Sequence, residues 1–117
     1  MDRRKVANEL DTIIRLVERV QSSIASHDRE SFEQDHDAAD ANTYRLAMIA
    51  EHCNHLPDDL KARHPNIPWK EMVGLRNIVS HAYDAIDTGI VWSAATMRIE
   101  EIGAMCHAEQ LRLENER

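Results

Sequence analysis

Between Arg76 and Tyr83 the chain sets a guanidinium, an amide (Asn77), a hydroxyl (Ser80), an imidazole (His81) and a phenol on one short segment. An imidazole moves protons near neutral pH, and a guanidinium stabilises negative charge growing on an oxygen, so the pair suits acid–base chemistry beside a developing anion. On a regular helix, with Arg76 at zero, Ser80 falls near ~40°, Asp84 near ~80°, Asn77 near ~100°, His81 near ~140° and Tyr83 near ~−20°. These groups share one wet side, while Met72, Leu75, Ile78, Val79 and Ala82 fill the opposite arc. Arg76 and His81, ~140° apart, stand too far around the helix to grip one small group side by side. Either the helix distorts near His81 or a second copy of the chain completes the site. Asn77, one turn before His81, is placed to orient the imidazole or to donate to an anion, and Ser80 is a second donor.

A competing constellation is Glu51, His52, Cys53 and His55. His52 and His55 share a helix face, and Glu51 precedes His55 by four. The Glu-x-x-His spacing of di-iron bundles is absent, because Asn54 stands where the histidine would be, and no metal or cofactor is expected. Trp69 and Trp92 suit core or interface positions better than a base-stacking platform. His27, His36, His64 and His107 form no usable pattern.

The elements that must carry these groups are helices. Three Gly, three Pro and 4% aromatics leave too little turn chemistry for an all-β chain. Val6, Leu10, Ile13, Val17, Val20 and Ile24 recur at steps of three and four, predicting a helix from about Arg3 to Ser26. A short helix or turn over Asp28–Gln34 folds Phe32 back as a plug. Ala39, Leu46, Ile49, Cys53 and Leu56 mark a second long helix that Pro57 ends, and Pro57 then suits the first turn of a short helix through Arg63. After a loop at His64–Pro68, a third helix starts at Pro68 and runs to about Ala82 or Tyr83. Asp87-Thr88-Gly89 caps a last helix from about Ile90 to Leu113, with Val91, Ala95, Ile99, Ile102 and Met105 on its apolar face and Arg112–Arg117 frayed. The expected architecture is all-α: one domain over residues 1–117, an antiparallel four-helix bundle with a short extra helix.

The 117 residues carry a net charge of −7, which opposes a polyanion partner unless the charge is unevenly spread. It is uneven: nine acids face two bases between Asp28 and Asp59, and the flanking parts nearly cancel. An anionic ligand would approach away from that middle segment. No apolar run reaches the ~20 residues of a membrane helix, and Arg3-Arg4-Lys5 leads into alternating charge rather than a signal-peptide core. The expected location is the cytoplasm. Cys53 and Cys106 are too few for a disulfide framework and read as buried thiols.

Arg76-Asn77, three more residues, His81, one residue and Tyr83 resemble the Arg-x4-His-x-Tyr signature of HepT-like toxins, in the HEPN superfamily of all-helical ribonucleases. Ile67-Pro68-Trp69, Val73-Gly74-Leu75, Tyr83-Asp84-Ala85-Ile86-Asp87 and Val91-Trp92 also resemble that family's framework, as do Phe32 and Ile49-Ala50-Glu51 upstream. Ala50 is a departure, standing where relatives often have glycine. The resemblance implies a bundle of HEPN type and a metal-independent endoribonuclease in which two protomers set their Arg76–His81 pairs along one cleft. RNA, rather than DNA, is the implied substrate, since its 2′-hydroxyl supplies the nucleophile. It implies Glu51 as a supporting polar group inside the bundle, salt-bridged to an arginine. It further implies the toxin of a type VII-like toxin–antitoxin pair, silenced when a minimal nucleotidyltransferase antitoxin adenylylates Tyr83. A non-catalytic helical adaptor, bound and modified by that nucleotidyltransferase, is the alternative.

Overall fold

In the computed structural model, residues 1–74 and 87–116 are described, and every regular element among them is helical. Arg76, Asn77, Ser80, His81, Tyr83 and most of the third expected helix lie outside the described residues.

Helix α1 (Arg3–Ile24) starts where Asp2 accepts the Lys5 amide at 2.9 Å, satisfying one of the orphan donors of the first turn. Its apolar stripe of Val6, Leu10, Ile13, Val17 and Val20 is buried as the periodicity predicts. Helix α2 (Arg29–Gln34) is fixed by a reciprocal cap: the Asp28 carboxylate accepts the Ser31 amide at 2.8 Å, and Ser31 Oγ accepts the Asp28 amide at 3.1 Å. The short helix thereby holds Phe32 fully buried, with its ring 5.2 Å from that of Trp92. Both Trp69 and Trp92 pack against the core.

Helix α3 (His36–Asn54) starts three residues before Ala39, because Asp35 accepts the Ala38 amide at 3.0 Å and caps it there. It also stops short of Pro57. His55 forms the C-cap, and Pro57, expected in the first turn of α4 (Asp58–Ala62), is its N-cap with extended backbone. Leu56 is nevertheless buried, so the apolar period runs past the helix that carries it. Inside α3, buried Asn42 donates to Ser23 Oγ at 2.9 Å and to the Ala38 carbonyl at 2.8 Å, tying α3 to the end of α1.

Helix α5 is described over residues 69–74. Helix α6 (Thr88–Ser93) is capped by Asp87, which accepts from the Gly89 and Ile90 amides at 2.8 and 3.3 Å. The last expected helix is not uniform. A π-helical segment (Ala94–Arg98) separates α6 from α7 (Ile99–Asn115). Apolar positions spaced by four drift about 40° per step around a straight α-helix, and a wider π turn removes that drift. Val91, Ala95 and Ile99 are all buried. The C-terminal end is helical to Asn115 rather than frayed, with Arg112 and Glu116 paired at 3.2 Å.

Contacts along α1 give the topology. Arg3 donates to the Leu113 carbonyl, Gln110 donates to Asp11 at 2.6 Å, and a Cβ at Gly103 would meet Val17 at 3.3 Å, so α7 runs antiparallel to α1 at close range. Glu9–His52 and Ser23–Asn42 set α3 antiparallel to α1 on its other flank. One contiguous core joins α1, α3, α6 and α7. No helix among the described residues is long and apolar enough to cross a membrane.

Candidate functional site

Glu51 is the one expected site residue that the described chain contains. It lies near the C-terminal end of α3, beside buried Ile49 and Ala50. Its side chain is 31% exposed, on a helix that buries Ala50 and Cys53. Glu51 Oε1 sits 3.1 Å from His55 Nε2. Ala50, the departure from the family pattern, is buried.

Glu9, brought in from α1, joins this pair. Its Oε2 lies 2.7 Å from His52 Nδ1 and its Oε1 lies 3.4 Å from His55 Nδ1. Two imidazoles and two carboxylates therefore meet where α1 crosses the end of α3. Sequence reasoning found three of the four on one helix and missed Glu9, which is 43 residues from His52 and carries no local signal.

A second polar cluster anchors the approach to α5. Buried Glu109 accepts from Arg63 Nη2 at 2.6 Å, from Arg63 Nε at 3.2 Å and from His64 Nε2 at 2.7 Å. Burial pushes the Glu109 carboxyl up, but the hydrogen bonds from Arg63 and His64 outweigh it and hold the group below the usual carboxylate range. The carbonyl of His64 in turn accepts the Trp69 indole N–H at 3.1 Å. The cluster thus fixes the loop before α5.

A third arrangement looks catalytic by residue type: His27 Nδ1 lies 3.0 Å from Ser31 Oγ, and His27 Nε2 lies 3.4 Å from Asp35. Ser31 Oγ is already committed to the α2 cap, accepting the Asp28 amide, so these residues hold a turn rather than arm a nucleophile. A groove of about 480 Å³ lies between α3, α5 and the π segment, with Leu46, Ile49, Met72, Ile90, Met97 and Ile102 among its walls. Such walls favour packing over phosphate binding. Burial raises the Cys53 thiol strongly and pushes Cys106 up to about 12, which makes both poor nucleophiles.

Comparison with known sequences places this geometry in context. The profile of a family described as "Ribonuclease HepT-like" matches residues 13–108. A Methanocaldococcus jannaschii protein named "Putative RNase MJ1380" is 40% identical over 57 residues, covering 49% of this chain and 52% of that protein. A Thermococcus cleftensis protein named "Probable ribonuclease HepT" is 40% identical over 47 residues, 40% of this chain and 43% of that protein. A third, from Caldanaerobacter subterraneus and named "Putative RNase TTE0752", is 30% identical over 73 residues, 62% of this chain and 65% of that protein. The chain spans about half the length of the first two relatives. No solved structure matches.

Proposed function

The chain belongs to the HepT-like ribonuclease family, and from that premise we propose that it is a metal-independent endoribonuclease, the toxin of a type VII-like toxin–antitoxin pair. The observation that carries this reading is the family match over residues 13–108, within which Arg76, His81 and Tyr83 stand at the signature spacing. His81 moves the proton between the 2′-hydroxyl and the leaving oxygen, and Arg76 stabilises the charge that grows on the phosphorus oxygens. Asn77 and Ser80 assist as donors, and Glu51 supports the site from α3. Two protomers complete one cleft. The apolar groove, whose walls include the exposed Ile90 and Met97, supports pairing of this kind.

Tyr83 is the control point. Each adenylyl group that a minimal nucleotidyltransferase attaches to its phenol adds a negative charge beside Arg76 and bulk over the cleft, and both exclude RNA phosphate. The site is cytoplasmic in this reading. The net charge of −7 favours the second reading, an adaptor that is modified but does not cut. Cleavage assays on wild type, Arg76→Ala and His81→Ala separate the two. Each substitution lowers the cleavage rate by ~10² or more with the fold intact. An inactive wild type that is still adenylylated on Tyr83 by a minimal nucleotidyltransferase, seen by mass spectrometry, establishes the adaptor instead.

A further inference from the structure

The meeting of α1 and α3 has a chemical peculiarity. His55 has a carboxylate oxygen at both ring nitrogens: Glu51 at 3.1 Å from Nε2 and Glu9 at 3.4 Å from Nδ1. A neutral imidazole offers one N–H and one lone pair. With Nε2–H donating to Glu51, the Nδ1 lone pair faces an oxygen lone pair of Glu9, and a positive charge between them relieves the repulsion. His52 Nδ1 approaches the other Glu9 oxygen at 2.7 Å. One donor atom from each of Glu9, His52 and His55 lies within 4.8 Å of the other two.

We propose that Glu9, His52 and His55 form a binding site for one divalent transition-metal ion of the Zn²⁺ class, which clamps α1 to α3. Zinc–nitrogen and zinc–oxygen bonds of ~2.0–2.2 Å place tetrahedral ligand atoms a little over 3 Å apart. The three donor atoms lie within 4.8 Å of one another, with one Glu9 oxygen 2.7 Å from His52 Nδ1 and the other 3.4 Å from His55 Nδ1, so side-chain rotations that draw them together admit the ion. Two imidazoles and one carboxylate select zinc and its neighbours over Mg²⁺ or Ca²⁺. Glu51 accepts from the far nitrogen of His55, the outer carboxylate that orients a ligating histidine and raises its basicity. The cluster is half open to solvent, with Glu9, His52 and His55 side chains 20%, 24% and 44% exposed, which gives the ion an entry path and leaves a fourth position for water. Binding draws together residues 43 and 46 positions apart in the chain, and so stabilises the folded state and fixes Glu51. The ion is not part of the cleavage chemistry proposed above.

The test is titration of the untagged full chain with Zn²⁺ against a chromogenic chelator, with thermal melts in parallel. Wild type takes up one equivalent per chain and melts higher with the metal. His52→Ala and Glu9→Gln lose that equivalent and the shift, His36→Ala and His107→Ala keep both, and Glu51→Gln weakens binding ~10–100-fold. Circular dichroism verifies that each variant is folded. Should His52→Ala not fold, Glu9→Gln still decides, since it keeps an acceptor for His52 and removes the ligand charge. Co²⁺ in place of Zn²⁺ gives a spectrum of nitrogen and oxygen ligation without thiolate charge transfer. Equal binding by wild type and Glu9→Gln, or a thiolate spectrum implicating Cys53 and Cys106, overturns the site. Loss of cleavage on stripping a metal held by these residues supports the site and counts against the metal-independent reading instead.

Discussion

Replacing Glu109 with alanine removes a carboxylate whose side chain is 5% exposed and which accepts three hydrogen bonds, two from Arg63 and one from His64. Breaking a buried ion pair from one side costs ~3–5 kcal/mol, because the other charge is left without its counterpart. The Arg63 side chain is 32% exposed and turns to water once released, so the loss is smaller, about 2–3 kcal/mol. For 117 residues the unfolding entropy is about 0.25 kcal/mol/K, which converts the loss to a fall in Tm of about 8–12 °C. Arg63→Ala and the double variant complete a cycle, read by urea unfolding followed through tryptophan fluorescence, and the coupling is ~1–3 kcal/mol. The pH dependence has a fixed sign. A carboxyl held below its unfolded value stabilises the fold above the unfolded pKa of ~4.3, and loses that contribution as pH falls through the lower folded value. The wild-type advantage over Glu109→Ala is therefore full at pH 7 and shrinks in acid. Additive single effects, or an advantage that grows toward low pH, would mean that Glu109 and Arg63 do not stabilise the fold as a pair.

Phe32→Ala empties a fully buried position against Trp92 and costs ~3–5 kcal/mol in urea unfolding. Asp28→Ala removes the α2 cap and costs ~0.5–2 kcal/mol by the same measurement. Cys53 and Cys106 resist a thiol reagent in the native protein at pH 8 and react together once it is unfolded, since burial holds both thiols protonated.

Helix α1 was legible to within two residues, ending at Ile24 rather than Ser26 with Ile24 only partly buried, because a single stripe, Val6 to Val20, meets a single core. Helix α3 was harder to bound. Its buried Asn42 and Thr43 dilute the apolar signal, and its start is set by Asp35, a cap that the apolar period does not contain. The π segment changes no residue type, and steps of four at Val91, Ala95 and Ile99 are its faint trace. The ordered end of α7 depends on Arg3, which reaches the Leu113 carbonyl from the far end of the sequence. Both polar clusters follow the same logic: Glu9 meets His52, and Glu109 meets Arg63 and His64, only after distant helices pair. His64 in particular carried no pattern in the sequence, yet anchors the loop before α5. The catalytic reading rests on the order of types from Arg76 to Tyr83, and on the family match that spans them.

In the proposed reaction the RNA supplies its own nucleophile, and His81 and Arg76 activate it without a metal. It is tested most directly by incubating the untagged protein in EDTA with an RNA it cuts and with the same oligonucleotide 2′-O-methylated throughout. The RNA is cut to fragments ending in a cyclic phosphate, and the methylated strand stays intact. Cleavage of the methylated strand, or of RNA only when a divalent ion is restored, would contradict it.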